Sequence, residues 1–153
     1  MKPKDIDSHV RQHSIQLMID KLKSKTITPM FPILNPWNNV EKSRFIESIL
    51  IHLALPRMYV NGANNNDWKI IDGHNRIAAI NDFAVAKTLK LTGLEFLHEI
   101  EGMSWNDIAP WRQRHFVEEE QCIILLSAGV PANVLQSLCN RFNPKYFPKI
   151  KEN

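Results

Sequence analysis

Ile70-Ile71-Asp72-Gly73-His74-Asn75-Arg76-Ile77-Ala78-Ala79 passes from an apolar strand into an amphipathic helix through a single glycine. The first free N–H groups of a helix point away from its body and carry the positive end of its dipole, so this junction has the geometry of an anion cradle. Gly73 lets the backbone come close to a phosphate, and Arg76 offers a forked guanidinium to grip it. The competing reading is an ordinary strand-turn-helix in which Asp72 caps the helix and Arg76 is a solvated surface charge.

Upstream of the turn, Asn61-Gly62-Ala63-Asn64-Asn65-Asn66-Asp67 is rich in turn formers and predicts a hairpin loop between strands at Arg57–Val60 and Trp68–Ile71. Before it, Asn38 or Asn39 caps a helix to about His52 with Val40, Ile46, Ile49, Leu50 and Leu53 on one face, and Pro56 stops it. Pro29, Pro32 and Pro36 interrupt the chain between Thr26 and Pro36, and Val10–Lys23 reads as a first helix. Downstream, Ile77, Ile80, Phe83 and Ala84 form a buried stripe, followed by an irregular segment punctuated by Gly93 and Gly102. A helix is expected over Asp107–Glu120 with Pro110 in its first turn, a buried strand over Gln121–Leu126, and a last helix from Pro131 to about Phe142. The mixture of short strands and helices without clean alternation predicts an α+β domain over residues 1–142, a small mixed sheet flanked by helices, with a flexible tail at 143–153.

Composition excludes more than it selects. The chain has 153 residues, 44% hydrophobic and 23% charged, as expected of a folded domain rather than a disordered segment. A net charge of +3 is too small to imply nucleic acid by itself. No run approaches the length of a membrane span and no signal peptide is visible, so a cytoplasmic protein without a membrane partner is expected. Cys122 and Cys139 are too far apart for a zinc ribbon or a CxxC site and read as buried, reduced thiols.

Several motifs in order carry a resemblance. Trp37-Asn38-Asn39-Val40-Glu41-Lys42-Ser43-Arg44-Phe45-Ile46-Glu47-Ser48-Ile49-Leu50, then Leu55-Pro56, then Ile71-Asp72-Gly73-His74-Asn75-Arg76, resemble the ParB/sulfiredoxin-like N-terminal domain of GmrSD-type restriction proteins. The likeness continues through Leu89-Lys90-Leu91-Thr92-Gly93-Leu94 and Ile100-Glu101-Gly102-Met103-Ser104-Trp105, and covers about Ile6 to Phe142. It implies a nucleotide pocket in which the DGxxR turn faces the phosphates. Asp72, Gly73 and Arg76 are then the motif residues, while His74 and Asn75 replace two glutamines and still present hydrogen-bonding side chains. Sulfiredoxin has Gly-Cys-His-Arg at the related turn; histidine at position 74 argues against its redox chemistry.

The implied site places a nucleoside triphosphate of unspecified base at the start of the Gly73 helix, with Arg76 balancing charge and Lys42 and Arg44 assisting. Asp72 and His74 are the candidate catalytic groups. Asp72 either orients a Mg²⁺-bound water or fixes the turn, and is the candidate Mg²⁺ ligand; His74 is a proton carrier.

Three departures weaken turnover more than binding. The family's Gln-Arg pair between proline and tryptophan is absent from Pro32-Ile33-Leu34-Asn35-Pro36-Trp37, which removes a charge that would stabilise hydrolysis. The Thr-Gly expected after Leu138-Cys139-Asn140-Arg141-Phe142-Asn143 is missing, and no HNH-type nuclease domain fits after Asn153. The function expected is nucleotide binding, with NTP hydrolysis as the associated activity, in phage or mobile-element DNA defence or counter-defence. The alternative is a non-catalytic regulator that binds DNA, a full-length relative or another defence-system protein; a stand-alone nuclease ranks last.

Other polar clusters read as structural. His9 and His13 share a face but lack a third metal ligand; Glu118-Glu119-Glu120 is a solvated run; Asp107, Arg112, Arg114 and His115 form a charged face beside a buried Trp111. Trp37 and Trp105 are expected as core anchors.

Overall fold

In a computed structural model, residues 8–31, 33, 35–64, 67–126 and 130–142 are described. The α+β expectation holds: a five-stranded mixed sheet in the order β1-β5-β3-β4-β2 is flanked by five helices. The elements are β1 (Ser8–Ser14), α1 (Ile15–Lys23), β2 (Ile27–Pro29), α2 (Asn39–Leu50), β3 (Met58–Asn64), β4 (Asp67–Asp72), α3 (His74–Ile80), α4 (Pro110–Glu118), β5 (Glu120–Leu126) and α5 (Ala132–Phe142). Helix α3 runs on without a break into a π-helical turn, Asn81–Val85.

Period-two alternation distributes the strands' side chains between two cores. Trp68 and Ile70 of β4 and Ile123 of β5 join Met18, Ile46, Ile49, Ile80, Phe83 and Phe116 on the face covered by α1 to α4. Ile71, Ile124 and Leu126 face the other way, where Leu135 and Cys139 of α5 cover them. The two cysteines are not bridged to each other; Cys139 is buried and Cys122 half-buried. Antiparallel β3 and β4 form the hairpin, pairing Tyr59 with Asp72 and Val60 with Ile70. The strands extend further into the expected loop than the turn formers imply, β3 to Asn64 and β4 from Asp67, and the tip at 65–66 lies outside the described residues. The expected tail at 143–153 lies outside them as well.

The helix expected over Val10–Lys23 is half strand. Ser14 breaks it, its hydroxyl accepting the Leu17 N–H at 3.2 Å as the N-cap of α1. Ile15, Met18, Ile19 and Leu22 hold the true 3.6-residue stripe. Ser8–Ser14 is an edge strand paired antiparallel to β5, and its one large apolar residue, Val10, is 60% exposed. Its pairing rests on the backbone, which leaves no apolar period for the sequence to show.

Helix α2 begins with a capping box: the Asn38 side chain accepts the Glu41 N–H at 2.9 Å, and the Glu41 carboxylate accepts the Asn38 N–H at 3.3 Å. Its buried face also carries two acceptors one turn apart. Ser43 Oγ accepts the Thr92 N–H at 3.0 Å. Glu47, only 2% exposed, accepts the N–H groups of Glu95, Phe96 and Leu97 at 3.1, 2.9 and 2.8 Å. These bonds dock a segment without regular structure of its own onto α2. Burial opposes ionisation of Glu47, but the three backbone donors and nearby His98 outweigh it and hold the carboxyl below its ordinary value.

Because that folded pKa is depressed, the stabilisation is present above the unfolded value of about 4.3 and is lost as pH falls through the folded one. Glu47→Gln is expected to cost about 2–4 kcal/mol at neutral pH, since an amide puts a donor among three donors. The gap in urea midpoint between native protein and variant should narrow as the pH is lowered below about 4. A gap that stays constant with pH would show that the carboxylate charge is not what docks the segment.

Candidate functional site

The turn between β4 and α3 is built around a glycine that nothing else could replace. Gly73 has φ +119°, and a Cβ there would stand 2.8 Å from Met58 Cε. It is also the N-cap of α3, and no side chain caps the helix start, so Asp72 is not the cap that the plainer reading assigns it.

Arg76 is not a surface charge either. It is 8% exposed, and its guanidinium reaches back under the turn. One terminal nitrogen donates to the Pro56 carbonyl at 2.5 Å, both approach the Arg57 carbonyl at 3.3 and 3.2 Å, and the second lies 3.4 Å from Asp72 Oδ2. Burial lowers its pKa and the Asp72 carboxylate opposes that shift. In this arrangement Arg76 ties the entry of β3 to the exit of β4. Gln121 of β5 donates to the same Pro56 carbonyl at 2.8 Å, so three strands and α3 converge there.

Asn75 faces the proline-rich segment. Its side-chain oxygen accepts the Trp37 N–H at 2.9 Å and its amide donates to the Asn35 carbonyl at 3.1 Å. Trp37 in turn packs on Phe45, ring centroids 5.8 Å apart, as the core anchor expected of it. Trp105 is the other, edge-on to Phe83 and near Phe116.

His74 is 5% exposed. Burial lowers its pKa below the ordinary histidine value, and a bond to the Ile70 backbone offsets part of that, so the ring is neutral at pH 7. Nε2 is buried without a hydrogen-bond partner. A buried polar atom left unmet costs about 1–3 kcal/mol. His74 also lines a pocket of about 190 Å³, open to solvent, between α1, β2 and α3, whose other walls are Leu22, Ile27, Pro29, Ile33, Ile70, Ile77, Ala78 and Asn81.

Lys42 and Arg44 carry their charges elsewhere. Lys42 Nζ pairs with Asp82 Oδ2 at 2.7 Å, and Arg44 bridges the Gly93 carbonyl at 3.0 Å and the Glu95 carboxylate at 3.0 Å. The turn therefore gathers Asp72, Gly73, His74, Asn75 and Arg76, while the two α2 cations bind its flanking segments. Sequence reasoning missed the pocket, for which Ile27, Pro29 and Ile33 between the proline interruptions were the available signal. It also missed Gln121 and Glu47, polar residues inside apolar runs.

The remaining clusters are structural. Among the described residues no three His, Cys, Asp or Glu side chains group as metal ligands. His9 is exposed on β1, and His13 stacks near Trp68 at 5.3 Å. Glu119 pairs with His52, Asp107 accepts from Ser104, and Arg112 pairs with Glu99 at 2.8 Å. Trp111 corrects the expectation of burial: it is 49% exposed, its ring covered on one side by the Arg112 guanidinium at 4.4 Å.

Arg76→Met should cost about 3–5 kcal/mol, because it removes the guanidinium paired with the half-buried Asp72 carboxylate and the donors it gives the Arg57 carbonyl, and leaves the Pro56 carbonyl to Gln121 alone. A double-mutant cycle with Asp72→Asn, read from urea midpoints, should return a coupling of about 1–3 kcal/mol. Strict additivity would mean that the pair does not hold the turn.

No family model matches the chain, nor does any curated protein or any solved structure, and the family likeness therefore rests on the residues quoted for it.

Proposed function

We propose that this chain is a nucleotide-binding domain of the ParB/sulfiredoxin-like kind, working by binding rather than turnover in phage or mobile-element DNA defence or counter-defence. The observation that carries the reading is the helix start after Gly73. Gly73 supplies no side-chain cap there, and the first turn of a helix is where backbone N–H groups point at a bound phosphate. The ordered motifs from Trp37 to Arg76 support the nucleotide as the anion's source.

In this reading the backbone of the turn grips phosphate, and Arg76 is a positioning residue whose charge sits behind the grip. Mg²⁺ neutralises phosphate charge when it accompanies a nucleotide. Asp72 is the carboxylate available to it at the turn and is already paired with Arg76. That donor set fits an ion carried in by the triphosphate better than a metal held by the protein. His74 lies buried beneath the turn, where burial disfavours its protonated form. Binding that orders the Asn35–Trp37 segment against Asn75 would alter the surface offered to DNA or a protein partner.

A second reading has its own observation: Lys42, Arg44 and Arg76 are all paired within the chain. A non-catalytic regulator that binds DNA or a full-length relative requires none of them at the turn. Gel shifts across a salt series separate these partners, since DNA phosphate contacts give a steep salt dependence and apolar protein contacts do not.

Calorimetric titration with ATP, GTP and CTP, with and without Mg²⁺, tests the leading reading. At least one triphosphate should bind the native protein, and Asn75→Asp, which sets a carboxylate in the first turn, should weaken it about tenfold or more. Phosphate release should stay at the level of the buffer blank. A folded native protein that binds none of the three would overturn the proposal.

A further inference from the structure

We propose that the C-terminal end of α1 and the adjoining part of β1 form a docking surface for duplex DNA, which holds the phosphate backbone through Arg11, Lys23 and Lys25. A net charge of +3 over the whole chain conceals how unevenly the cations lie. A line of contacts joins this corner of the molecule. The Thr26 N–H bonds back to the Lys21 carbonyl at 2.9 Å, and the Thr26 carbonyl accepts the Trp68 N–H at 2.8 Å. Lys21 Nζ sits 4.4 Å over the Trp68 ring, and the His13 ring lies 5.3 Å from the same ring, with Arg11 two residues away on its face of β1. Arg11, Lys23 and Lys25 are exposed, and among the described residues none of the three pairs with a carboxylate. Asp20 on α1 accepts the Gln16 amide at 2.9 Å, and Asp67 beside Trp68 pairs with Lys69 at 3.2 Å. His13 registers the field that results: burial holds its pKa below the ordinary value, and the charges of Lys21 and Arg11 push it the same way.

Helix stability does not account for this set of cations. Lys23 lies in the last turn of α1 and offsets the dipole there, but Arg11 is on a strand and Lys25 lies beyond the cap. Lys25 holds φ +58° in a Schellman turn, its N–H bonded to the Leu22 carbonyl at 3.2 Å, a position that glycine fills without steric cost. Duplex DNA suits the surface because it presents a charge every ~1.7 Å along its axis and needs only cations that stand in solvent. A single strand calls for exposed rings to stack on, and a bilayer for an apolar anchor. Trp68 is 2% exposed, and Val10 lies on the opposite face of β1. The inference rests on the DNA partner named above and on none of the nucleotide chemistry, so a failed triphosphate titration leaves it standing.

Fluorescence anisotropy of a labelled duplex of arbitrary sequence, without nucleotide, is the test. Three phosphate contacts should make the affinity of the native protein fall at least about fortyfold between about 50 and 200 mM salt, a log-log slope of about −2.7 or steeper. Arg11→Gln/Lys23→Gln/Lys25→Gln should flatten that slope by about 2.7. Lys90→Gln/Arg114→Gln/Arg141→Gln, which removes three exposed cations elsewhere, should leave it unchanged. Lys25→Gly alone should raise the urea midpoint and yet flatten the slope by about 0.9, a split that a structural role would not produce. Single-stranded DNA and phosphatidylserine vesicles should bind more weakly than the duplex. No duplex binding, a first triple variant or a Lys25→Gly protein with the native slope, an equal loss in the second triple variant, or tighter binding of the single strand or the vesicles would each overturn the proposal.

Discussion

A buried guanidinium organises this molecule. Arg76 is removed from water almost completely, and a cation in that position is tolerable only when hydrogen-bonded and balanced. Its partners come from two places in the chain: the carbonyls of Pro56 and Arg57 before β3, and the Asp72 carboxylate at the end of β4. Meeting that demand fixes how α3 leaves the sheet. The helix has to start immediately after Asp72 and lean back over the entrance to β3, and only a residue without a Cβ fits the corner against Met58. The pair is weak evidence of net stabilisation relative to an apolar replacement. Its consequence is specificity: a helix rotated by one residue would bury the charge with no partner.

The same logic repeats around the turn with neutral groups. Asn75 closes two backbone groups of the Asn35–Trp37 segment, and Ser43 and Glu47 close four N–H groups between Thr92 and Leu97. Both segments lack regular hydrogen bonding, so each would otherwise expose its backbone or bury it unsatisfied. Side chains on α2 and α3 thus do for these loops what neighbouring strands do for a sheet. Gly93, at φ +69° and with Val40 2.8 Å from where a Cβ would be, brings the second loop close enough for those bonds.

Much of this was legible. Asn38 followed by Glu41, the alternation in Trp68–Ile71 and the apolar run at Gln121–Leu126 each state one local preference that the tertiary structure shares, and those elements form where expected. Ser8–Ser14 failed because an exposed edge strand has no hydrophobic period, and its pairing partner β5 lies more than a hundred residues away along the chain. At the site, the glycine corner was readable because φ +119° has almost one tenant. The fate of Arg76 was not. Local sequence cannot distinguish a guanidinium that faces solvent from one that turns inward, since the carbonyls that receive it lie some twenty residues earlier.

That inward turn redistributes chemistry at the junction. With Arg76 paired, the positive potential available to an anion comes from the peptide groups of α3, which are fixed in direction and cannot titrate. His74, the residue next to the glycine, is the one whose polarity is unanswered, its Nε2 buried with no hydrogen-bond partner. The two faces of the helix start therefore differ: the outer one carries the positive end of the peptide dipoles, and the inner one adjoins a pocket lined mainly by aliphatic side chains.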